Sequence, residues 1–134
     1  MQWSKAKKKF ESLLAPCFEN RVKIHLTKYR ETKNFDLGKG WITCDRQIII
    51  SVLIPSFYSN NFSFRTDTMN FGEAVISYVN MNVREIKESE DELINGLMFL
   101  DRRIGKRFIN NIDSKSLHFF GQIIYQLRCE LENV

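Results

Sequence analysis

Four cations, Arg102, Arg103, Lys106 and Arg107, stand within two helical turns in the run Leu100-Asp-Arg-Arg-Ile-Gly-Lys-Arg107. Each arginine carries a planar fork of donors, and cations at this spacing can match successive backbone phosphates. A second basic group, Arg21, Lys23, Lys28 and Arg30, is interleaved with His25 and Tyr29. A third, Lys5, Lys8 and Lys9, lies near the start of the chain with Lys7. If these groups share one face, a continuous basic surface with aromatic contact points favours nucleic acid or another polyanion.

Other chemistry finds less support. Nucleophilic catalysis needs a Ser or Cys beside a base, and His25 and His118 are the only histidines, neither in a recognisable motif. Glu88, Glu90, Asp91 and Glu92 crowd a helix start, where capping and the helix dipole account for them. Gly38-Lys39-Gly40 and Gly105-Lys106 lack the glycine spacing of a phosphate-cradling loop. Cys17, Cys44 and Cys129 are widely spaced without a C-x-x-C pair, so neither a disulfide framework nor a metal site is expected. No cofactor is expected either. Asp101 borders an apolar stripe, where a carboxylate needs a partner; Arg128 on the last helix, in a structural ion pair, is one candidate and a backbone donor another.

The elements that position these residues follow from periodicity. Leu93, Leu97, Leu100, Ile104 and Phe108 fall within one narrow arc at about 100° per residue, which predicts one long helix from Ser89 to Asn110. Ser89 and Glu92 form its capping box. The four cations then occupy the opposite arc near its C-terminal end, where positive charge suits the dipole. Gly105 within that helix hints at close packing or a kink.

Trp3, Ala6, Phe10 and Leu13 predict a first helix over about Ser4 to Ala15, closed by Pro16. From Arg21 the period becomes two, with Val22, Ile24 and Leu26 on one side and Arg21, Lys23 and His25 on the other. After a polar connection from Glu31 to Gly40, the runs Trp41 to Cys44 and Gln47 to Leu53 predict a hairpin around Asp45-Arg46. Arg46 stands where Gly would ease the positive φ of a type I′ turn, which leaves the turn type open. Ser56 to Thr68 shows no clear period. Asn70 with Glu73 and Asn82 with Glu85 are capping boxes for short helices near 71 to 80 and 83 to 88. Leu117, Phe120, Ile124, Leu127 and Leu131 mark a final helix, expected antiparallel to its predecessor.

The expected fold is therefore α+β: an N-terminal helix, a three-stranded antiparallel meander, short helices and a C-terminal helical hairpin. At 134 residues with 43% hydrophobic content, the chain suits one domain over residues 1–134. Its 11 Phe, 4 Tyr and 2 Trp argue against disorder. The net charge of +4 is unevenly spread, since residues 1 to 50 hold eleven Lys/Arg against five Asp/Glu. The start lacks a signal-peptide core, and the longest strongly apolar run, Ile48 to Ile54, is too short to span a bilayer. A cytoplasmic protein is expected.

Five blocks carry a family resemblance: Trp3 to Ser12, Arg21 to Tyr29, Gly40 to Thr43, Leu100 to Arg107 and Leu127 to Glu130. In this order they resemble a family of small uncharacterised bacterial proteins, and the resemblance implies no activity. The reading of the residues themselves is a non-enzymatic binding protein whose basic surface contacts nucleic acid or another polyanion. Its sites would be Lys5, Lys8, Lys9, Arg21, Lys23, Lys28, Arg30, Arg102, Arg103, Lys106 and Arg107. The alternative is a protein-interaction module, an inhibitor or regulator, docking through Phe57 to Phe64 or the helical hairpin.

Overall fold

The computed structural model describes residues 2–28, 38–54 and 71–132. Arg30, most of the Glu31 to Gly40 connection, and the Phe57 to Phe64 segment lie outside the described residues, as does Asn70 of the first capping box.

Helix α1 (Trp3–Glu11) buries Ala6 and Phe10 and half-buries Trp3, as the spacing predicts. Gln2, not Ser4, precedes it, and it ends four residues before the expected Ala15. The reason is Pro16, which drives Ala15 into extended geometry at φ −59° and ψ 152°. Leu13 to Ala15 then run beside residues 100–102: Ala15 N–H donates to Leu100 O at 2.8 Å and Arg102 N–H to Leu13 O at 2.7 Å. A tight 3₁₀ turn, Pro16–Phe18, buries Phe18 and leads into the sheet.

The sheet is the expected antiparallel meander in the order β1 (Val22–Lys28), β2 (Gly38–Cys44), β3 (Gln47–Ile54). Strand β2 begins at Gly38, so the connection is shorter than predicted. Gly40 is indispensable there, because a Cβ would stand 2.4 Å from the Phe71 ring. Val22, Ile24, Ile42, Cys44, Ile50 and Val52 face the core. A bulge makes the β3 side consistent: Ile42 pairs with Ile50 but Thr43 pairs with Ile48. The extra residue turns Ile48 to the outer face, where it is 57% exposed, while Ile50 stays buried.

The β2–β3 turn places Asp45 at φ 53° and Arg46 at φ 70°, the double positive φ of a type I′ turn without its usual glycine. Arg21 braces it with a bidentate pair, Nε to Asp45 Oδ1 at 2.9 Å and Nη2 to Oδ2 at 2.6 Å. The outer edge of β1 is also satisfied. Glu11 Oε2 accepts the Ile24 N–H at 3.0 Å, and Lys7, paired to Glu11, donates to Ile24 O. Helix α1 thus protects the strand edge with two side chains.

Helices α2 (Phe71–Val79) and α3 (Val83–Glu88) stand close to their expected places. The Asn82–Glu85 capping box is formed in both directions. The predicted long helix is not formed. In its place are α4 (Glu92–Met98), a loop over 99–105, and α5 (Lys106–Asn110). Asp91, rather than Ser89, caps α4, accepting from Leu93 and Ile94 N–H. Helix α6 (Phe119–Glu132) packs across α4. That crossing depends on Gly96, where a Cβ would stand 2.0 Å from the Phe120 ring. The result is the α+β arrangement expected, with α4 and α6 as its C-terminal two-helix unit. Among the described residues, no helix is long and apolar enough to cross a membrane.

Candidate functional site

Alternation along β1 places Arg21, Lys23 and His25 on the face opposite the buried Val22 and Ile24. Strand β2 sends Trp41 and Thr43 to that same outer face, and the bulge adds Ile48. Together with Asn20, Asp45 and Arg46 they line an open groove of about 820 Å³. Among the described residues of the lining, three cations, Arg21, Lys23 and Arg46, meet one carboxylate, Asp45, already held by Arg21. That contact holds the Asp45 carboxyl below its ordinary value.

The aromatic pair of the groove comes from register. His25 and Trp41 are directly opposite in the β1–β2 ladder, and their rings stack at 5.1 Å with an interplanar angle of 15°. Both side chains are half-buried. His25 Nε2 lies 3.1 Å from Thr43 Oγ1. Burial and then the Lys7 charge lower the His25 pKa below its ordinary value, with Lys23 acting the same way and Glu11 opposing. Both effects favour the neutral ring, which offers flat faces rather than a charge. Asn20, Asp45 and Arg46 are the non-glycine residues at positive φ among the described residues, and all three line this groove. Such strain gathers at functional sites more than elsewhere.

A second polar cluster sits inside the protein, around the 99–105 loop. Asp101 is 1% exposed and Tyr78 fully buried. The Tyr78 hydroxyl donates to Asp101 Oδ2 at 2.6 Å, and Arg103 grips the same carboxylate through Nε and Nη2, at 3.1 and 2.7 Å. Burial first, then the Asp101 charge, push the Tyr78 phenol well above its usual value. The hydrogen bonds to Asp101 raise Arg103. Arg128, 3% exposed, donates to the backbone carbonyls of Phe99, Asp101 and Ile104 at 3.1, 2.9 and 2.7 Å. Its own carboxylate partner is Glu132 at 3.2 Å.

The Asp101–Arg128 ion pair is therefore corrected. The two residues meet through the Asp101 backbone, while the carboxylate belongs to Tyr78 and Arg103. Asp101 also accepts the Arg103 N–H at 2.8 Å, a local turn that competes with continued helix. Arg103 is in turn neutralised. Lys106 and Arg107 open α5 rather than closing a long helix, so the favourable dipole placement expected for them does not hold.

Of the predicted basic residues, the groove collects Arg21 and Lys23. Lys5, Lys8 and Lys9 are exposed on α1, and Arg102, Lys106 and Arg107 are exposed around the loop and α5; none of these six lines the groove. Lys28 ends β1. Trp41, Thr43, Arg46 and Asn20 were not in the predicted set. Alternation along β2 would have placed Trp41 and Thr43 opposite Ile42 and Cys44; Arg46 stood out in the sequence only as a turn position where Gly is usual, and no pattern singles out Asn20.

His118 has a structural task at the start of α6, where its Nδ1 accepts the Phe120 N–H at 3.1 Å. It also lines a small cleft of about 150 Å³ with Glu92, Asn95, Ser116, Leu117 and Gly121. The Nδ1 lone pair is committed to the backbone, which places the neutral ring's proton on Nε2. Among the described residues no group of three or more His, Cys, Asp or Glu is arranged to hold a metal ion. The three cysteines are free thiols.

Neither a curated protein nor a solved structure matches the chain. A family model does, in two segments covering residues 2–66 and 63–129. The match takes in nearly the whole chain, including the groove and the 99–105 loop, and the chain belongs to the SF0329 protein family.

Proposed function

We propose that this chain is a non-enzymatic, cytoplasmic binding protein that holds a polyanion, foremost nucleic acid, against the outer face of its sheet. The observation that carries the reading is the groove itself, in which Arg21, Lys23 and Arg46 share the lining with the stacked His25–Trp41 pair and lie on its hairpin side. Phosphates complement Lys23 and Arg46, since among the described residues of the lining Asp45 is the single carboxylate and Arg21 already holds it. Arg46 adds a further argument. A glycine would relieve its backbone strain, so a charged side chain at φ 70° fits a site better than a connector. The free thiols Cys17, Cys44 and Cys129 suit a reducing compartment.

The test is charge reversal read through salt. Lys23→Glu with Arg46→Glu removes two phosphate contacts and should reduce the slope of log K against log salt by about 1.4 to 1.8. Arg102→Glu with Lys106→Glu, outside the groove, should change binding less than the groove pair does. Absence of binding to DNA and RNA at low salt would end the proposal. A protein partner is the second reading, favoured by Ile48 standing 57% exposed beside the cations. It gains ground only if nuclease-treated extracts yield one protein whose capture is lost in Ile48→Asp.

A further inference from the structure

We infer that the groove selects single-stranded nucleic acid, with an unpaired base laid against the His25–Trp41 stack and its phosphates on Lys23 and Arg46. The inference rests on the polyanion reading above and narrows its ligand. A polyanion without bases can use the cations alone. It gains nothing from two aromatic rings held parallel within 15° and half-exposed in the groove.

The duplex is disfavoured for a geometric reason. In a double helix the flat face of each base is covered by its neighbours, and only edges and backbone are offered. An unpaired base has an open π-face, and stacking on an aromatic side chain is worth about 1 to 3 kcal/mol per base irrespective of sequence. The ladder supplies the rest of the arrangement. Lys23, Thr43 and Ile48 form one cross-strand row and His25 and Trp41 the next row on the same face, so charge, hydroxyl and apolar surface lie two residues along the strands from the stack. A backbone running along β1 would set a phosphate near Lys23 as its base reaches His25 and Trp41. Arg46 and Asn20 stand at the hairpin end of the same groove, where the next phosphate would fall.

The test compares four ligands of matched charge on the full chain: oligo-dT, oligo-U, a blunt DNA duplex and a heparin fragment. Trp3→Phe leaves Trp41 as the reporter tryptophan. Both single strands should bind at least tenfold tighter than duplex or heparin and quench Trp41 emission. Trp41→Phe should keep that preference, while Trp41→Leu, checked for folding by circular dichroism, should lose about 5- to 150-fold toward the single strands and little toward heparin. If only one of oligo-dT and oligo-U shows the preference, the single-strand class stands and the sugar decides between its members. Equal binding of all four, with Trp41 unquenched, would overturn the single-strand inference and leave the polyanion reading in place. Binding of none at low salt would remove both.

Discussion

Asp101 shows how much one carboxylate can organise when it is taken out of water. At 1% exposure it is compensated by the Arg103 fork, the Tyr78 hydroxyl and the Arg103 N–H, so no polar atom of the cluster is left wanting. Removing it strands a cation and a buried phenol together. Asp101→Ala should therefore destabilise the fold by about 3 to 5 kcal/mol, whereas Tyr78→Phe, which deletes one donor and leaves Arg103 in place, should cost about 1 kcal/mol. Urea unfolding followed by circular dichroism measures both, and near-equal losses would contradict this division of labour. The need for a partner at Asp101 was legible in the sequence because the residue flanks an apolar stripe. Its identity was legible in part: of the two candidates, a backbone donor is there as the Arg103 N–H, while Arg128 reaches the Asp101 carbonyl instead of the carboxylate, Tyr78 approaches from a different helix and the Arg103 side chain folds back only because the helix has ended.

At the scale of elements, periodicity predicted burial better than it predicted backbone. Leu93, Leu97, Leu100 and Ile104 are all at most 1% exposed, as the stripe requires, although only the first two are helical. The chain leaves the helix after Met98 because long-range contacts claim the backbone. Arg128 takes three carbonyls and Leu13 takes the Arg102 N–H, and neither contact has a signature in local spacing. Strands were easier to place, since a period of two fixes which face each residue joins. The bulge beside Thr43 was not visible, because Ile48, Ile49 and Ile50 are identical and any of them can be the extra residue. The hairpin turn offers a test at this scale. Arg46→Gly should raise stability by about 1 kcal/mol by relieving the φ of 70°, and should weaken nucleic-acid binding at the same time. Thermal unfolding and a binding titration on the same variant check the pair of effects; a variant that is neither stabler nor weaker in binding would leave Arg46 without a role.

For the whole molecule, the surplus of positive charge is spread over several elements. The α1 lysines are exposed on their helix, Arg102, Lys106 and Arg107 are held out by the loop that Asp101 and Arg128 brace, and Arg21, Lys23 and Arg46 edge the aromatic groove. Composition alone put these cations on an equal footing. Geometry ranks them, because among the described residues the groove adds stacked rings and positive-φ backbone to charge. The most direct measurement is an amide chemical-shift titration of the full chain with a short single-stranded oligonucleotide. The largest changes should fall on Lys23, His25, Trp41, Thr43 and Arg46. Changes concentrated on Lys5, Lys8 and Lys9 or on Arg102, Lys106 and Arg107, with the sheet silent, would contradict the assignment of the groove as the binding face.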